Sequence, residues 1–149
     1  MENELAFTVR DYWATDYPHV ADIWERTRLS TLRRGDSAEV IENTLRRKGR
    51  LLVLVEEESK TVVGTSWLTN DGRRLYLHHF AIDPKFQGVG LSKPLLRESL
   101  QIAKEIGLQV KLEVHQDNER AIHFYEKAGF KRLGDYDVYI IRDLAEIKE

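Results

Sequence analysis

The chain has 149 residues, 42% of them apolar, with 23 basic against 25 acidic side chains and a formal charge of −2. That length and apolar content suit one domain, spanning residues 1–149, with a real core; the charge balance argues against a general polyanion binder, so no nucleic-acid partner is expected. The absence of cysteine excludes disulfides, thiolate zinc sites and cysteine nucleophiles, and no uncharged apolar run approaches the ~20 residues of a membrane span.

The opening MENELAFTVRDYW lacks a basic region followed by an apolar core, so no signal peptide is expected and a soluble, cytoplasmic protein is. ELAFTVR alternates as a first strand. Thr15 or Asp16 caps a helix with Pro18 in its first turn and Val20, Ile23, Trp24 and Thr27 on one face. LSTLRRGD is a connector, and Asp36 or Ser37 caps a second helix ending near Gly49. RLLVLVEEE and TVVGTSWLT form a strand pair across Ser59-Lys60, and Asn70 to Gly72 turns the chain into a fourth strand, RRLYLHHFAID. A glycine-rich turn follows. Leu91, Leu95, Leu96, Ile102, Ala103 and Ile106 then recur at helical spacing up to Gly107. LQVKLEVH is a fifth strand, DNERAIHFYEKAGF a capped helix closed by Gly129, and FKRLGDYDVYIIRDL two final strands around Gly134-Asp135. The order β-α-α-β-β-β-α-β-α-β-β implies an α/β fold: a central mixed, mostly antiparallel sheet with helices on both faces.

A strand, a glycine turn and a helix start in quick succession present backbone N–H groups to an anion. Three phosphate-binding patterns compete for Gln87-Gly88-Val89-Gly90-Leu91-Ser92-Lys93. A Walker loop fails, because Lys93 sits at the wrong offset from Gly90. A dinucleotide turn has Gly88 and Gly90 but Lys93 where the third glycine permits close helix packing; Glu113 ends a later strand at about the expected ~20-residue distance. The third pattern is Q-x-x-G-x-[GA]. With the lead-in Phe80-Ala81-Ile82-Asp83-Pro84, it resembles the GNAT superfamily of acyl-CoA N-acyltransferases, departing only at Ser92, which is small and able to cap a helix. A second segment, NERAIHFYEKAGF, is similar to that family's other signature through Asn118, Ala121, Phe124, Tyr125, Gly129 and Phe130. The two motifs cover residues 75–131 in the right order.

The resemblance implies an N-acetyltransferase using acetyl-CoA as co-substrate, without a metal. The pyrophosphate would lie on the turn formed by Gln87, Gly88, Val89, Gly90, Leu91, Ser92 and Lys93, the pantetheine arm along Phe80, Ala81 and Ile82, and Asn118 would bind cofactor or cap its helix. Tyr125 matches the family's general acid for the CoA thiolate. Acyl transfer also needs a neutral amine. A lysine-like amine of pKa ~10.4 is neutral about once in a few thousand molecules at pH 7, a penalty of roughly 4.6 kcal/mol. His78, His79 and Glu113 are the candidate bases. Adjacent on a strand, the two histidines are expected on opposite faces, which argues against a shared metal. The acceptor is a small-molecule or peptide amine; no membrane partner is expected, and the final strands offer a route to a homodimer. The alternative is an acyl-CoA-binding sensor without catalysis, which need not keep a thiolate acid such as Tyr125.

Overall fold

A computed structural model describes residues 6–29 and 35–148. The expected first-strand residues Glu4 and Leu5, and connector residues 30–34, lie outside the described residues. The chain forms two compact units, residues 1–113 and 114–149.

The first unit is built on a five-stranded sheet in the order β1 (Phe7–Asp11), β2 (Arg50–Glu56), β3 (Thr61–Asn70), β4 (Arg74–Ile82) and β5 (Gln109–Leu112). The first three pairings are antiparallel and β4–β5 is parallel. A parallel neighbour requires a crossover, and helix α3 (Ser92–Ile106) supplies it. Residues Leu51 to Val55 are all buried, so β2 reads as a continuous apolar run because both its faces are covered. On one face Leu51, Val53, Val55 and Trp67 pack with Val20, Ile23 and Trp24 of α1 (Tyr17–Arg26) and Ile41 of α2 (Ala38–Arg46). On the other face α3 packs across the sheet, and Ser66 and Ser99 share a hydrogen bond of 2.6 Å inside the core. Helices thus cover both faces, as expected.

Local chemistry explains the element ends. Ser37 Oγ accepts from the Val40 amide and caps α2. Asp16 stands at the α1 cap position without a capping bond from its side chain; its carboxylate instead accepts from the Trp13 amide and from Arg10. The β3–β4 hairpin is closed by side chains, with Asn70 Oδ1 accepting from Gly72 N and Asp71 Oδ1 from the amides of Arg73 and Arg74. Gly107 ends α3 in the left-handed conformation, φ 82°.

The second unit contains α4 (Glu119–Lys127), capped by Asn118 Oδ1 on the Ala121 amide at 3.2 Å, and a short 3₁₀ turn, Leu144–Glu146. Two expectations fail towards this end. β5 stops at Leu112 rather than reaching His115, and residues 130–143 contain no strand. Alternating apolar residues mark the propensity for a strand, but a strand exists only where a neighbour takes its N–H and C=O groups. Among the described residues no strand pairs with this segment, and Tyr136, Val138, Tyr139, Ile140 and Ile141 are exposed.

Candidate active site

The glycine turn is built from the strand outward. Asp83, at the end of β4, is 5% exposed; its amide donates to Val63 O, and its carboxylate caps a 3₁₀ turn, Pro84–Phe86, by accepting from Lys85 N. Arg26 grips the same carboxylate with two hydrogen bonds of 2.8 Å. That clamp ties the end of α1 to the start of the turn and holds the Asp83 carboxyl below the usual carboxylate range, against the opposing effect of burial. Gln87 turns its side chain back and donates to Ile82 O at 2.9 Å, so it braces the turn. Gly88 and Gly90 then sit at φ 83° and 84°, where other residues are strained. No described residue accepts from the amides of Gly88, Val89 or Gly90. Leu91 occupies the cap position of α3 without a capping side chain, and the first turn holds no acidic residue. Ser92 is therefore the first helical residue and not the cap that its hydroxyl suggested. Lys93 is exposed in that first turn. Uncapped donors, the positive end of a 15-residue helix and a lysine together make a surface to which an anion would be attracted.

The strand leading to this turn is bulged. Thr65 faces Ala81 and Trp67 faces His78, so His79 and Phe80 together oppose the single residue Ser66. His79 takes φ 44°, a left-handed conformation costing a non-glycine residue about 1–3 kcal/mol. Its carbonyl accepts from Thr65 Oγ1 at 2.7 Å, and Thr65 in turn accepts from Trp24 Nε1 at 2.9 Å. The bulge overturns the opposite-face expectation for the two histidines. Both rings lie against Trp67, at 5.9 Å and 5.3 Å, and 6.3 Å from each other. A regular strand alternates faces; an extra residue cancels the alternation at that point. Among the described residues no three His, Cys, Asp or Glu side chains converge as a metal site would require.

Each histidine has a partner. His78 Nε2 pairs with Thr69 Oγ1 at 2.8 Å and its ring stacks on Tyr76 at 3.9 Å. Burial, and then the neighbouring His79, push the His78 imidazole down to about 4, so it is neutral at pH 7. His79 Nε2 pairs with Asp36 Oδ2 at 2.9 Å. Glu113 is exposed just beyond β5, near enough for its carboxylate to act on the Tyr76 phenol. Burial, and then this carboxylate, raise the Tyr76 phenol. Asp36, Thr65 and Tyr76 are not legible as site residues from sequence. Asp36 signals only a possible helix cap, and the others depend on the strand register.

In the second unit, Tyr125 projects from α4 between Phe124 and Phe130, with ring centroids at 5.4 Å and 5.7 Å. Burial pushes its phenol up to about 12. Asn118 uses its side-chain oxygen as the α4 cap. Both residues fall inside a match to the family model described as "Acetyltransferase (GNAT) family", which covers residues 9–130.

The chain belongs to the GNAT acetyltransferase family. Mycothiol acetyltransferase of Propionibacterium freudenreichii is 36% identical over 84 residues, which are 53% of this chain and 27% of that protein. N-alpha-acetyltransferase RimI of Mycobacterium tuberculosis is 38% identical over 78 residues, 50% of this chain and 48% of that protein. The chain thus spans less than half the length of either relative. The GNAT fold is also that of PaiA N-acetyltransferase from Thermoplasma acidophilum, solved in complex with coenzyme A; it superposes with a TM-score of 0.70 at 21% identity, over 85% of this chain and 91% of that one.

Proposed function

We propose that this GNAT protein transfers an acetyl group from acetyl-CoA to a primary amine by direct attack. The observation that carries the reading is the turn at Gly88 and Gly90, whose amides are unclaimed by described residues and which opens onto the uncapped start of α3. The pyrophosphate accepts from these donors, and the pantetheine arm pairs with the main chain of Phe80 to Ile82 as an added strand would.

Glu113 serves as the base, because it is exposed, while His78 is bonded to Thr69 and its imidazole, pushed down to about 4, binds a proton weakly, and His79 is turned to Asp36. The Glu113 carboxylate takes the amine proton, directly or through water, and the neutral nitrogen attacks the thioester carbonyl. The C–S bond breaks and CoA leaves as a thiolate. Tyr125 donates a hydrogen bond to that sulfur. A phenol near 12 lies about 3.5 units above a thiol of pKa ~8.5, so complete proton transfer costs roughly 5 kcal/mol and hydrogen-bond donation is the cheaper role.

The acceptor is a small-molecule or peptide amine. A peptide α-amine, of pKa ~8, costs only about 1.4 kcal/mol to deprotonate at pH 7 against roughly 4.6 for lysine. Similarity to an N-alpha-acetyltransferase supports testing such peptides first. The test is calorimetric titration with CoA and with NAD, followed by CoA-thiol release from acetyl-CoA across a panel of peptide and small amines. CoA binding with amine-dependent thiol release is expected. CoA binding without release from any amine would favour a sensor, and binding of NAD instead of CoA would sink the reading.

A further inference from the structure

The strained bulge on β4 is held from three directions. The His79 carbonyl is bound by Thr65, its ring lies 4.4 Å from Trp24 and 5.3 Å from Trp67, and its Nε2 meets Asp36 at 2.9 Å. The first two restraints come from the sheet and α1. The third comes from the residue before the α2 cap, and both side chains of that pair are about seven-eighths buried, at 12% and 13% exposure. Asp36 does not cap α2, because Ser37 does. Its carboxylate reaches instead to His79 on β4. Asp36 and, on β4 itself, His78 are titratable groups that face the His79 ring, and Trp24 of α1 and Trp67 of β3 meet it with indoles.

We propose that Asp36 is a positioning residue for the cofactor strand, acting through His79 to lock the bulge that sets the faces of Phe80, Ala81 and Ile82. The inference rests on the acetyl-CoA reading above. Side chains alternate with a period of two, so relaxing the bulge drives the strand towards regular pairing and turns these three residues towards the wrong faces. The hydrogen-bonding edge offered to the pantetheine arm moves with them. A carboxylate–imidazole bond is the charge-assisted kind that holds such a geometry best.

The test compares CoA affinity by calorimetry in the wild type and in Asp36→Ala, Asp36→Asn and Asp36→Glu. Asp36→Ala is expected to weaken CoA binding about tenfold, as loss of a hydrogen bond to a charged group does, with part recovered in Asp36→Glu. A residue that merely supported α2 would lower the melting temperature and leave CoA affinity unchanged, and that result overturns the proposal. Should the variants not fold, the wild type still decides. Coupling is reciprocal, so saturating S-acetylpantetheine, which has no phosphate, must shift the His79 ring titration followed by NMR; an unmoved titration overturns the proposal. A wild type that binds no CoA overturns the acetyl-CoA reading and this one with it. A wild type that binds CoA beside an equally competent Asp36→Ala overturns this one alone.

Discussion

The roles proposed for Tyr125 and Glu113 separate two proton problems, the leaving thiolate and the attacking amine. Tyr125→Phe keeps the ring between Phe124 and Phe130, so packing changes little while the hydroxyl is lost. It is expected to lower kcat by about tenfold to a thousandfold and to change the KM for acetyl-CoA less, because the thiolate appears late in the reaction. CoA-thiol release at saturating acetyl-CoA measures this; a wild-type rate in a chemistry-limited assay would make Tyr125 a packing residue. Glu113→Gln keeps the shape and removes the base. A base acts in its deprotonated form, so the wild-type kcat/KM rises with pH along an acidic limb, which is expected to flatten in this variant. If the limb stays in Glu113→Gln and disappears in His79→Gln, the base is His79. Tyr125 and Glu113 were both legible as residues, one from a motif and one from its place at a strand end. Their environments were not. The effect of Glu113 on the Tyr76 phenol follows from the parallel register that sets Tyr76 beside Lys111, two residues before Glu113.

The turn before α3 was readable because its constraint is local. Two positive φ angles strongly favour glycine, so the pattern survives in the sequence itself. No atom beyond the chain neighbours lies within 4 Å of a Cβ built on Gly90, so that carbon is accommodated and the main cost of Gly90→Val is backbone strain of about 1–2 kcal/mol. The variant is expected to stay folded and to lose at least tenfold in CoA affinity by calorimetry, as the turn reshapes and a branched side chain crowds the donors. Unchanged affinity would remove the pyrophosphate from this turn. The β4 bulge is the contrasting element. No residue in LHHFAID announces it, since histidine is not a glycine surrogate; Thr65, Trp24 and Asp36, distant in sequence, together hold His79 in place.

Across the first unit, the partly buried ion pairs set its response to acid. The Asp83 carboxyl is lowered first by its Arg26 hydrogen bonds. For Asp16, burial pushes upward, but Arg10 and the Trp13 amide outweigh it and the net direction is also down. A carboxyl lowered by folding adds stability above its unfolded value of ~3.9, and that contribution fades as pH falls through the lower folded value. Denaturant unfolding is therefore expected to show stability declining below about pH 4. Arg26→Gln leaves the nearly buried Asp83 without its cation and is expected to cost about 1–3 kcal/mol at pH 7, discounted because the Arg26 side chain is 35% exposed. The deficit should shrink as acid protonates Asp83. A deficit constant from pH 7 to pH 3 would show that the arginine acts by packing alone.

The amino-acid sequence by itself determined what depends on neighbours in the chain: the Ser37 cap, the Asn70–Gly72 turn, the left-handed end of α3 at Gly107, the glycine turn and the two motifs that mark the GNAT family. Each follows from a dihedral preference or a side chain reaching two or three residues along. Tertiary structure alone decided which candidate pairs meet. It gave Asp36 to His79, brought both histidines to Trp67, and left residues 130–143 without the strands their alternation suggested. Pairing and register are relations between distant segments, and a local pattern states only the readiness of one partner.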